Sequence, residues 1–251
     1  MCNTSLTRNC LSIDDSNALK GIALMLLLIH HLFGITSTAG WYNDFLIGSH
    51  GIANEIGKAC KLCVAIFVFL SGYGLTVQAE NRGGIGNILK FYKHRLMKLM
   101  INYWFIWLIF VPIGVLVFGR TFDGAYQDHI LIKAVADVLG LAFAFGYFGY
   151  NATWWFMSCI IIYYIGFPVL YKFIKKYQFG TVITVIAIAM LPLPIIQWEI
   201  VRYSLPFLLG ICMAIRGVPK VGGGQLLFDR SSLRNISFVC TKIDGRPTNH
   251  D

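Results

Sequence analysis

Two adjacent histidines, His30 and His31, sit in the far half of the apolar run Leu19–Gly34, which begins beside Lys20. An ionisable side chain inside a membrane-spanning helix is expensive, so its default reading is functional. In a helix, the 11-residue step from Lys20 to His31 makes about three turns and puts both on one face, about 16 Å apart. That stripe would carry a cation at the water boundary and an imidazole near mid-membrane, with His30 about 100° off the same face. An imidazole held out of water stays neutral, the form that takes a proton. Within reach of a hydroxyl it is a general base for acyl transfer. A histidine bonded to a neighbouring helix is the alternative for His31. His30 is either its supporting partner or a packing residue.

The other candidates are cationic, hydroxylic and aromatic. Gln78–Lys98 carries Arg82, Lys90, Lys93, Arg95 and Lys98 against the single Glu80. Arg95 and Lys98 are three apart and neighbour each other on a helix. With Lys93 they could grip the phosphates of a cytoplasmic cofactor, or they could anchor the chain by snorkelling to lipid headgroups. Ser71, Gly72 and Gly74 are small residues that let helices approach closely. A serine nucleophile at 71 would need an adjacent base and an oxyanion site. Trp154 and Trp155 have the character of interfacial residues, and Tyr163, Tyr164 and Pro168 that of packing and a kink. Cys60 and Cys63 form a lone CxxC with no second pair and no nearby histidine, so they read as small apolar residues and no metal site is expected.

These residues must be positioned by membrane helices. The 251 residues are 57% hydrophobic and only 13% charged, against about 25% charged in a soluble domain, and the mean hydropathy is +0.65. The net charge of +9 does not signal nucleic acid, because the cations flank apolar spans and report topology beside membrane lipid. The pattern predicts an all-α polytopic transmembrane helix bundle of about six spans: Leu19–Ile35, Ala59–Val77, Leu99–Phe118, Trp154–Tyr171, Gly180–Gln197 and Tyr203–Ile215. Residues Thr36–Lys58 read as a loop, and Leu19–Ile35 as a retained first span rather than a signal peptide. Ile130–Tyr150 is apolar but holds Lys133 and Asp137. If it crossed, Lys172, Lys175 and Lys176 would fall on the wrong side, so it reads as a re-entrant or interfacial segment and a candidate wall of a site. The expected organisation is a polar segment over residues 1–18, a membrane domain over 19–216 and a polar flexible tail over 217–251. The N-terminus is expected in the cytoplasm.

Five short motifs in order resemble the acyltransferase-3 family of integral membrane O-acyltransferases. Asn17-Ala-Leu-Lys20-Gly21 followed by His31 is similar to its first-span motif. Ile66-Phe67-Val68-Phe69-Leu70-Ser71-Gly72-Tyr73 resembles its second-span pattern, and Arg95-Leu-Met-Lys98 its basic pair. Trp155-Phe156-Met157 with Tyr164 and Pro168 matches a later block in spacing, and Leu205-Pro206-Phe207-Leu208-Leu209-Gly210 another. The departures are Lys20 and Lys98 for arginines, which keep charge but lose the bidentate fork, Asn17 for an aspartate, and Ile160 where the envelope-polysaccharide branch often has glutamate. The resemblance implies acetyl-CoA as acyl donor, held from the cytoplasmic side by Arg95 and Lys98 with Lys20 assisting, and Ser71 is a further candidate there. His31, with His30 beside it, would serve transfer to a hydroxyl of a sugar or polysaccharide acceptor, with Trp155 and Tyr164 at the acceptor entrance, in a bacterial inner membrane. Members of that family carry more spans than are found here, which implies a C-terminally truncated chain. Two rival readings stand: an exporter of a polysaccharide or metabolite with His31 on the permeation path, and an inactive fragment. No pair of related halves, the mark of many transporters, is visible.

Overall fold

The computed structural model describes residues 11–35, 52–177, 180 and 198–216, all within one compact unit, Met1–Val218. The tail from 217 and the span expected at Gly180–Gln197 lie outside the described residues, Gly180 alone excepted. Every regular element among the described residues is helical. Among the described residues, five segments are long and apolar enough to cross a bilayer: Ile13–Gly34, Ile52–Asn81, Ile88–Leu116, Ala152–Tyr177 and Trp198–Ile215. The protein is a multi-pass membrane helix bundle.

Helix α1 (Ile13–Ile29) starts earlier than the apolar run suggests, because Ser12 and Asp15 cap it reciprocally: Asp15 N–H donates to Ser12 Oγ, and Ser12 N–H to Asp15 Oδ2, each at 3.0 Å. It continues into a π-helical turn, His30–Ile35. The stretch read as loop up to Lys58 in fact ends in a helix, α2 (Ile52–Ala59), supported by the Glu55–Lys58 pair at 2.8 Å. Its Gly and Asn mask the helical pattern in the sequence. After a turn at Cys60–Lys61, α3 (Leu62–Asn81) continues the same apolar segment, and α4 (Ile88–Leu116), capped by Asn87, carries the basic stretch into the next span. The last long helices among the described residues are α7 (Trp155–Tyr177) and α8 (Trp198–Arg216).

The tightest seam joins α3 to α8. A Cβ on Gly72 would strike the Phe207 carbonyl oxygen, and one on Gly210 would lie 2.9 Å from Tyr73 N and 3.1 Å from Phe69 C. Small residues here let the two backbones touch, and Val68, Phe167, Phe207 and Ile211 fill the core around them. Outward, α1 presents Leu24, Met25 and Leu28, and α4 presents Ile101, Phe105 and Leu108, all exposed. In a bundle of this composition those faces meet lipid.

Between α4 and α7 no helix is long and apolar enough to cross a bilayer. Short helices α5 (Phe122–Tyr126) and α6 (Ile130–Val138) are followed by two single 3-10 turns. This cap is tied down by one buried carboxylate. Asp137, 1% exposed, accepts from Tyr126 Oη and Tyr150 N at 2.7 Å each and from Tyr103 Oη at 3.2 Å. Burial, with the Asp137 carboxylate beside it, pushes the Tyr126 phenol above its ordinary range and keeps it a donor. Gly149 leaves the space that Asp137 occupies. Ser158 and Trp104 add bonds to the carbonyls of Gly140 and Val138.

Candidate functional site

The two ends of the bundle differ in chemistry. At one end the C-terminus of α1, the head of α3 and the start of α7 enclose a cavity of about 680 Å³. Its polar groups come from His30, His31, Lys61 and Thr153, and its aromatic wall from Phe67, Phe148, Trp155 and Phe156. Such a lining, mainly apolar with a few convergent polar groups, is what small-molecule sites have in common. The His30 and His31 ring centroids are 5.6 Å apart with the planes tilted by 54°. His30 Nδ1 lies 2.8 Å from the Gly57 carbonyl oxygen on α2. A carbonyl only accepts, so this nitrogen carries the proton and, in the neutral ring, Nε2 is an acceptor. His31 is half-buried on the same wall and has no side-chain hydrogen bond among the described residues, which leaves its ring available to a bound molecule.

Lys61 is a residue that the sequence reading missed. Its ammonium donates to Glu199 Oε1 at 3.2 Å and lies 5.7 Å from the centre of the Trp155 ring. Arg202 approaches the other oxygen of Glu199 at 3.6 Å. Trp155 is itself stacked on Tyr203, centroids 5.7 Å apart, and so is a fixed platform. The signal in the sequence is a charge standing at the head of an apolar run. Phe148 and Thr153 come from the segment between α6 and α7.

At the other end lie two neighbouring cavities that share Gln78 and Arg82. One, about 320 Å³, is lined by Arg82, Lys90, His94 and Arg95 with Phe91 and Asn87. The other, about 370 Å³, is lined by Ser16, Asn17, Lys20, Tyr73 and Arg82. Guanidinium and ammonium donors converging in one cleft suit phosphate groups. Nearby, Tyr171 Oη donates to Glu80, whose carboxylate also takes Lys175 at 3.0 Å, which ties α3 to α7.

The expected site residues therefore separate. His30, His31 and Trp155 share the aromatic cavity, and Lys20 and Arg95 line the joined basic cavities. Lys98 is exposed and lines none of these cavities. Ser71 spends its hydroxyl on the Phe67 carbonyl at 2.9 Å, one turn back in its own helix. Tyr164 lies about 13 Å along α7 from Trp155, nine residues at the helical rise, and does not line the aromatic cavity. Cys60 and Cys63 are buried free thiols.

A bundle with an imidazole-bearing cavity at one end and a cationic cleft at the other, both lined from α1 and α3, defines a class: multi-pass membrane proteins with a polar pocket at each end. The particular family follows from comparison. Residues 13–228 match the acyltransferase-3 family model, an acyltransferase domain, and the chain belongs to that family. Acyltransferase MdmB of Streptomyces mycarofaciens is 25% identical over 126 residues, 46% of this chain and 30% of that protein. The aligned stretch thus spans under a third of that relative's length. No solved structure matches the chain.

Proposed function

We propose that the chain is an O-acyltransferase that moves an acetyl group from acetyl-CoA to a hydroxyl of a sugar or polysaccharide precursor. The observation that carries this reading is the pairing of ends: an imidazole pair on the wall of an aromatic cavity, and Arg82, Lys90, Arg95 and Lys20 around the opposite cleft. Along α3, the 14 residues from Val64 to Gln78 separate the two by about 21 Å. An acyl-CoA bound by its phosphates at the cationic end has an extended pantetheine arm to carry its thioester toward the other. The basic clusters of α4 and α7 share one end of the bundle, so that end faces the cytoplasm of a bacterial inner membrane and the N-terminus lies with it. Trp155, Phe148 and Phe156 offer apolar faces of the kind on which a sugar ring rests.

The reaction balances with one histidine. His31 takes the proton of the acceptor hydroxyl as its oxygen attacks the thioester carbonyl. The C–S bond breaks, and the CoA thiolate leaves and recovers that proton from the imidazolium. The products are an O-acyl ester and free CoA. General-base removal costs about 10²–10⁴-fold. Membranes bearing the chain, supplied with radiolabelled acetyl-CoA and their native glycolipid, are expected to acylate the glycolipid, and His31→Ala to lose that incorporation by the same factor. Undiminished transfer by His31→Ala overturns the assignment.

A further inference from the structure

His30 and His31 are adjacent, yet their surroundings are not alike. His30 Nδ1 is held by the Gly57 carbonyl at 2.8 Å across 27 residues of chain. The bond exists because two backbones touch. A Cβ on Gly34 would lie 2.7 Å from Gly57 C and 2.7 Å from His30 Nδ1, and a Cβ on Gly57 would run into Gly34 N and lie 2.7 Å from Phe33 C. Gly57 is buried between the exposed Ile56 and Lys58 of its helix. The helix of the first span widens to π geometry at His30 and keeps it through Ile35, over the stretch that α2 covers. Local π turns are rare and cluster at functional sites. Three features therefore meet on one ring: a fixed hydrogen bond, a glycine–glycine contact and a change of helical pitch.

We propose that His30 is a positioning residue: its Nδ1–H, clasped to the Gly57 carbonyl through the Gly34–Gly57 contact, fixes the widened turn that presents the His31 ring to the aromatic cavity. A ring tied through Nδ1 cannot turn without breaking the clasp, whereas His31 has no such tie among the described residues. The role given to His31 rests on the acyltransfer reading; the tautomer of His30 does not.

Two measurements on the full chain in lipid nanodiscs test it. The first is spectroscopic and needs no activity. In nitrogen-15 NMR of histidine-labelled protein, the His30 signals, assigned by their loss in His30→Asn, are expected to show a protonated Nδ1 and a bare Nε2. Gly57→Ala is expected to move them toward the mixed pattern of a free imidazole. A wild-type His30 protonated on Nε2 alone, or signals unmoved by Gly57→Ala, overturns the proposal. The second is kinetic. Asparagine keeps an N–H donor close to the Nδ1 position and lacks Nε2; alanine lacks both. Loss of orientation costs up to about a hundredfold, so His30→Ala is expected to lower kcat on that scale with the KM for acetyl-CoA unmoved, and His30→Asn to recover about tenfold of the loss. Equal loss in both variants would assign Nε2 a direct part in the chemistry and overturn the positioning role, as would full activity in His30→Ala. If the wild-type chain transfers no acyl group, the acyltransfer reading fails and the NMR result alone decides the clasp.

Discussion

Replacing Asp137 tests how the segment between α4 and α7 is held against the cavity. The carboxylate receives three donors, and the two substitutions remove different parts of this set. In Asp137→Asn, the amide oxygen can take the place of Oδ2 and keep Tyr126 Oη and Tyr150 N, while its NH₂ donates to the Tyr103 oxygen, whose own proton stays on the Asp137 carbonyl. The loss is that two charge-assisted bonds become neutral ones, about 2 kcal/mol together. In Asp137→Ala, Tyr103 still has the Asp137 carbonyl at 2.8 Å, but Tyr126 Oη and Tyr150 N are both left bare, for about 2–6 kcal/mol. At about 2–4 °C per kcal/mol for a domain of this size, Tm should fall by about 5 °C for asparagine and about 10 °C for alanine. Thermal unfolding in detergent reads the order, and limited proteolysis should show new cuts between α5 and α7. Acetyl-CoA binding at the opposite end should not change. Equal melting of wild type and Asp137→Ala, or an asparagine variant worse than alanine, would refute the reasoning.

Three further outcomes follow from the same contacts. Gly210→Ala should destabilise by about 1–3 kcal/mol, because its methyl meets the backbone of α3, while Gly74→Ala, with open space around it, should be neutral or gain up to about 1 kcal/mol of helix propensity; paired melting curves distinguish them. Arg95→Gln should weaken acetyl-CoA binding by about tenfold, the loss of one charge-assisted contact of about 1.5–3 kcal/mol or less, and Lys98→Gln much less, as measured by isothermal titration. Lys61→Met should leave half-buried Glu199 with only the longer Arg202 contact and release the Trp155 platform, seen as a red-shifted tryptophan emission and a Tm lower by a few degrees, about 1–3 kcal/mol.

Much of the scaffold was legible because lipid leaves a coarse imprint. Apolar runs long enough to span and cations grouped beside them point to helices and their direction, and charge parity alone reads Ile130–Tyr150 as re-entrant or interfacial rather than a full span. What escaped depends on contacts between distant segments. Gly57 reads as a loop glycine until α2 is laid on the π turn, and its carbonyl has no signature in sequence. Lys61 gains its place only when α7 and α8 bring Trp155 and Glu199 to it. Tyr164 pairs with Trp155 in the motif, and nine residues of helical rise set it about 13 Å further along α7. Lys98 shares a helix with Arg95, but only Arg95 lines the cleft.

The central claim is that one acyl donor reaches from the cationic cleft to the histidine cavity. A CoA thioester with a photoreactive diazirine on its acyl chain, irradiated with the chain in nanodiscs and mapped by peptide mass spectrometry, measures this directly. The account predicts label on Leu27–His31, Phe67 or Thr153, lost on competition with acetyl-CoA and reduced in Arg95→Gln. Label confined to Arg82–Arg95 at the cationic end, with none in the aromatic cavity, would contradict it.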